Sequence, residues 1–157
     1  MEYRKFTKEW FNRAVMPRQI DEADRFISLW IAFNSLLRYI HGEDLEDNKL
    51  LNKAIDDPGL KAIFDQLKEK NCSFAEDLAD LSRYIVANMK NPWDESIYRN
   101  YNGGFSSFLR VIYQIRCNLF HGRKSFEDDA EDYALIILAL KLLTPICREY
   151  FKTKEIL

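Results

Sequence analysis

Arg116 and His121, separated by four residues, are the side chains of this chain best suited to phosphate chemistry. Asn118 lies between them and Gly122 follows. In no other place do a positive charge, an imidazole and an amide fall within about one and a half helical turns. An arginine can hold a phosphate through parallel N–H···O bonds from its planar fork. A histidine titrating near neutrality can take up or give back a proton. Together they suit cleavage or binding of a phosphodiester.

The elements that must position these residues are helices. The chain has 157 residues, 47% hydrophobic and 31% charged, with only five glycines and four prolines. That composition describes one globular domain, residues 1–157, with room for long helices and a sizeable core. No β alternation, internal repeat or low-complexity tract interrupts it. The expected fold is all-α, an antiparallel helical bundle with a long C-terminal helix.

Residues 2–15 carry a modest helical pattern with Phe6, Trp10 and Phe11, ending before Pro17. Asp21 can cap a second helix whose apolar stripe is Phe26, Trp30, Phe33, Leu37 and Ile40, ending at His41-Gly42. The following segment GEDLEDNKLL reads as loop, with one helical turn after Asp47. Asp57-Pro58 has the form of an N-cap followed by proline at the first helical position. Ser73 and Glu76 have capping-box spacing and open a helix through Phe74, Leu78, Leu81, Tyr84, Ile85 and Met89, which Asn91-Pro92 stops. NPWDESIYRNYNGG is a turn-rich ordered loop. Gly103-Gly104 lacks the preceding strand that a phosphate-cradling loop needs, so it releases the chain into a helix of residues 105–121. The last helix is expected from Ser125, with Asp128 acidic in its first turn, over roughly 40 Å at ~1.5 Å rise per residue. Pro145 should kink or split it. The predicted core draws on Trp30, Phe33, Leu37, Ile112, Ile115, Leu119, Ile137 and Leu140.

At about 100° per residue, Phe108, Val111, Ile112, Ile115 and Leu119 form the core stripe of the 105–121 helix. Arg110, Gln114, Asn118 and His121 lie on the opposite face, and Arg116 sits about 140° from His121. One ideal helix does not bring Arg116 and His121 together; a symmetric dimer of helix ends can. A histidine before a glycine is also an ordinary helix stop. Ile40-His41-Gly42 repeats that ending, with Arg38 three residues before His41.

The segment YQIRCNLFHG resembles the arginine–four-to-six–histidine motif helix of the HEPN superfamily, and FISLWIAFNSLLR is similar to an early core helix of many members. The resemblance implies a small all-helical domain and a metal-independent endoribonuclease, of the kind found among toxins and defence components. It implies Arg116 as the phosphate-binding arginine and His121 as the catalytic histidine. It also implies a homodimer and an antitoxin or other regulatory protein as partner. Many members carry a polar residue directly after the arginine. Here that position is Cys117, a poor donor, and the amide comes one later at Asn118. Either Asn118 serves as the orienting third residue of the site or the site is weakened. The alternative function is a non-catalytic dimer module that binds RNA, a nucleotide or a protein.

Arg110, Gln114, Arg123 and Lys124 could extend the motif into an RNA-contacting surface, or form a plain solvated face. The net charge of −2 means that any RNA contact must come from such a local patch. Asn34, at the edge of its helix stripe, reads as a structural amide or as a partner of the motif. Glu127, Asp128, Asp129, Glu131 and Asp132 complement the positive end of the last helix, or dock a basic partner. Trp93, Tyr98 and Tyr101 pack their loop or stack unpaired bases. With two histidines, and three cysteines lacking a C-x-x-C pair, no metal site and no cofactor is expected, and the thiols suit a reducing cytoplasm. The N-terminal stretch MEYRKFTKEW lacks an apolar signal core, and ALIILAL at 134–140 is too short to span a bilayer, so no membrane partner is expected.

Overall fold

The computed structural model describes residues 2–16, 21–121 and 130–157, without the side chains of His121 and Ala130. Among these residues the chain forms seven α-helices and one short 3-10 turn, with no strand beyond an isolated bridge. The fold is an all-α helical bundle. Its elements are α1 (Tyr3–Val15), α2 (Glu22–His41), α3 (Asp47–Ile55), α4 (Pro58–Lys70), α5 (Cys72–Leu81), α6 (Phe105–His121) and α7 (Ala130–Thr153).

Local chemistry starts several of these helices where the sequence says it should. The Asp21 carboxylate accepts from the Asp24 backbone N–H at 2.9 Å and opens α2. Asp57 does the same for α4, accepting from Gly59 at 2.8 Å and Leu60 at 3.2 Å, with Pro58 at the first helical position. Positive φ values of 104° and 82° at Gly103 and Gly104 turn the chain into α6, a conformation that costs glycine nothing.

Three boundaries differ from expectation. The segment after Glu46 is a nine-residue helix, α3, because burial of Leu50, Leu51 and Ala54 stabilises what its polar sequence does not. The cap of α5 is Asn71, whose side chain accepts from Phe74 N–H at 3.0 Å, rather than Ser73. That helix also ends at Leu81, eight residues before Met89. Beyond it, Val86 and Arg99 exchange both backbone hydrogen bonds, and the Asn100 amide donates to the carbonyls of Ser82 and Tyr84. Residues 82–104 are thereby held as an ordered loop. The chain around Pro17 and the expected helix start at Ser125–Asp128 lie outside the described residues. α7 runs unbroken past Pro145, where the Thr144 hydroxyl donates to the Leu140 carbonyl at 2.5 Å.

The core is built around α2 and α7. Six of the eight predicted core residues are buried: Trp30, Phe33, Leu37, Ile112, Ile115 and Leu140. Leu119 is half-buried against the core, while Ile137 is half-buried on a surface groove with Tyr84 and Leu138. Ile40, placed on the α2 stripe from spacing, is 38% exposed; Leu29 and Leu36 fill that core instead. α1 folds back along α2, with Arg25 Nε donating to the Ala14 carbonyl at 2.8 Å and Tyr3 stacked on Tyr39. α2 and α7 run in the same sense. Tyr133 donates to Glu22 at 2.6 Å at their starts, and at their ends Tyr150 donates to Asp57 at 2.6 Å, with His41 4.0 Å away on the same carboxylate. Burial lowers the pKa of His41 and the Asp57 carboxylate opposes it, so this helix-ending histidine belongs to the packing of the α2–α4–α7 corner.

Candidate functional site

α6 is positioned by its apolar face. Phe108, Val111, Ile112 and Ile115 are buried in the bundle, which sets the remaining faces towards α3, the 82–104 loop and solvent. The helix continues to His121, whose side chain lies outside the described residues, as do Gly122, Arg123 and Lys124. The relation of His121 to Arg116 therefore stays at the backbone level: five positions apart on one unbroken helix.

Arg116 is half-buried, its guanidinium 4.7 Å from the Phe120 ring centre and 5.8 Å from that of Tyr113. Nη1 lies 3.8 Å from Cys117 Sγ and 3.9 Å from Asp47 Oδ2, both weak contacts, and Nε is buried without a hydrogen-bond partner. The fork is thus placed but largely unengaged. Burial foremost, then Cys117 and Asp47, raise the neighbouring Tyr113 phenol to about 12, so it stays protonated and can donate.

Asn118 does not turn towards Arg116. Its Oδ1 accepts from the Met89 backbone N–H and from Gln114 Nε2, both at 2.9 Å, and its Nδ2 donates to the Ala87 carbonyl at 2.6 Å. The bonds to Met89 and Ala87 hold the 82–104 loop against α6. Gln114, read from sequence as an RNA contact, is buried at 8% exposure and supports Asn118 instead, because its face of the helix is covered by that loop. Asn118→Ala should therefore act on stability first, lowering it by ~2 kcal/mol because loop N–H and C=O groups lose their partner. A urea midpoint unchanged from the parent would contradict that assignment.

Arg110 reaches from α6 to α3, where Nη2 donates to Asn52 Oδ1 at 3.0 Å, and it borders an open polar groove with Arg99, Asn100, Asn102, Ser106 and Ser107. Asn34 lines a small cavity with Trp30, Asp47 and Tyr113, beside the motif. Of the loop aromatics, Tyr101 is buried on Phe108, Tyr98 donates to the Pro92 carbonyl, and Trp93 is 72% exposed. Of the acidic cluster, Asp132 borders a cleft with Met89, Asn118 and Leu119, while Glu127, Asp128 and Asp129 lie outside the described residues. Among the described residues no three His, Cys, Asp or Glu side chains gather as metal ligands would, and no helix is long and apolar enough to cross a membrane.

Two residues close to Arg116 escape a reading of the motif alone. Asp47 accepts from Arg38 at 2.7 Å and faces Arg116 at 3.9 Å, so α2, α3 and α6 meet at one carboxylate. The one signal in the sequence was the echo of the motif at Arg38 and His41. No family model, curated protein or solved structure matches the chain.

Proposed function

We propose that this chain is a metal-independent endoribonuclease of HEPN type. The observation that carries the reading is Arg116, on an unbroken helix five positions before His121, with its fork largely free of strong partners. The segment YQIRCNLFHG and the all-helical bundle support it. In this reaction a base takes the proton of a 2′-hydroxyl, and O2′ attacks the adjacent phosphorus. The bond to the 5′-oxygen breaks, and an acid protonates that leaving oxygen. The products are a 2′,3′-cyclic phosphate and a 5′-hydroxyl. Arg116 stabilises the charge on the phosphorane. One imidazole cannot be base and acid at once, so the reading places two copies of His121 across a homodimer, one neutral and one protonated. A role as a toxin or defence component, restrained by an antitoxin or other regulator, follows only by analogy with the fold and motif.

A second reading is a dimeric module that binds RNA, a nucleotide or a protein without cleaving anything. The engagement of Asn118 by the loop favours it, since no amide of α6 then orients a phosphate beside Arg116. RNA incubated with the pure protein in EDTA separates the two. Cleavage to cyclic-phosphate ends is expected, unchanged by the chelator. Intact RNA retained by the protein would leave the binding module.

A further inference from the structure

Asp47 is the first residue of α3, yet its carboxylate is not directed to that helix. The N-cap position belongs to Glu46, and Asp47 Oδ1 instead accepts from Arg38 Nη2 at 2.7 Å, while Oδ2 faces Arg116 Nη1 at 3.9 Å. Arg38 is a well-fixed partner. Its Nη1 donates to the carbonyls of Glu43 at 3.0 Å and Leu45 at 2.8 Å, which orients the guanidinium from the end of α2. Arg116 comes from α6 with its guanidinium over the Phe120 ring. Two guanidiniums from separate helices therefore converge on a single negative charge.

The bonding is lopsided. Asp47 satisfies Arg38 but stands beyond hydrogen-bond reach of Arg116, whose Nε has no partner. Its carboxylate is also 45% exposed, and ion pairs this open to water are weak and readily exchanged. A phosphodiester offers the same single delocalised charge, with its non-bridging oxygens spread around a larger tetrahedral centre. It could engage both forks where the carboxylate engages one.

We infer that Arg38 and Arg116 form one two-arginine seat for an RNA phosphodiester, which the Asp47 carboxylate holds in the free chain and the phosphate displaces. The choice of RNA rests on the proposed function, but the seat itself does not require cleavage. Arg38 becomes a binding residue, and Asp47 an internal competitor that weakens binding and lets product leave.

Anisotropy titration with a 2′-O-methyl RNA oligonucleotide tests the seat, since that probe lacks the attacking hydroxyl. Asp47→Asn should tighten binding ~5-fold, with the melting temperature kept as a folding control. Asp44→Asn makes the same change in net charge on the nearby loop and should tighten binding much less. Arg38→Gln should weaken binding on the order of ten-fold and lower the salt slope by about 0.7. The gain from Asp47→Asn should shrink in the Arg38→Gln background, because the two act through one seat. On the unaltered chain, the Nε–H NMR signals of Arg38 and Arg116 should both move as the RNA is added, a measurement that needs no variant to fold. Equal effects of Asp44→Asn and Asp47→Asn overturn the proposal. So do unmoved arginine signals in the bound state, or the absence of any binding. If the binding pattern holds but ordinary RNA is never cut, the ribonuclease reading fails and the seat survives. If RNA is cut but Asp47→Asn binds no tighter, the seat fails and the ribonuclease reading stands.

Discussion

His121→Ala should lower the rate of RNA cleavage by ~10²–10⁴-fold, the usual contribution of a positioned proton-transfer group. Its melting temperature should stay at that of the parent, because His121 is the last residue of α6 and the core of that helix lies before it. Arg116→Ala should fall comparably, through loss of charge stabilisation at the phosphorane. Arg116→Lys should recover little of this, since one ammonium cannot reproduce the planar fork or its packing on Phe120. If one copy of His121 gives a proton while its counterpart takes one, the parent's rate should follow a bell-shaped pH curve, which His121→Ala should abolish by removing both imidazoles while the Arg116 variants keep its shape. Light scattering should find a dimer under assay conditions. Cleavage by His121→Ala at the parent's rate, with the fold intact, would sink the ribonuclease reading.

The largest effect on stability should come from Phe64→Ala, at ~3–5 kcal/mol. Phe64 is fully buried where α4, α5 and α6 meet, with ring centres 5.9 Å from Phe74, 5.5 Å from Phe105 and 5.1 Å from Phe108. Its removal opens a cavity bounded by three other rings, one on α5 and two on α6, so the site cannot collapse without shifting whole elements. Domains of this size are stable by only ~5–15 kcal/mol, so the variant should unfold at markedly lower urea with an unchanged denaturant slope. A loss below about 1 kcal/mol would mean that these aromatic contacts do not anchor α4 and α5. Phe64 packs on α6 at Phe105 and Phe108, about two turns before Arg116 and not against it, so the surviving folded fraction should bind RNA as the parent does.

Much of this molecule is written in short-range patterns. The three- and four-residue recurrence of apolar side chains marks α2, α6 and α7, since a helix can bury only one stripe without its neighbours. Asp21 and Asp57-Pro58 start their helices because a cap needs only the next three residues. Arg116 and His121 stand out for the same reason, as residue types at a fixed spacing on one helix. What the chain does across distance is not legible in this way. α3 exists because the bundle buries Leu50, Leu51 and Ala54, and α5 stops at Leu81 because Val86 finds Arg99. Asn118 belongs to a loop 29 residues away in sequence, so its spacing from His121 says nothing of its partners. The meeting of Arg38, Asp47 and Arg116 depends on three helices packing at one corner. Periodicity and caps are set by neighbours along the backbone, whereas hydrogen bonds and ion pairs between helices are settled only when burial of the apolar stripes has fixed how those helices lie.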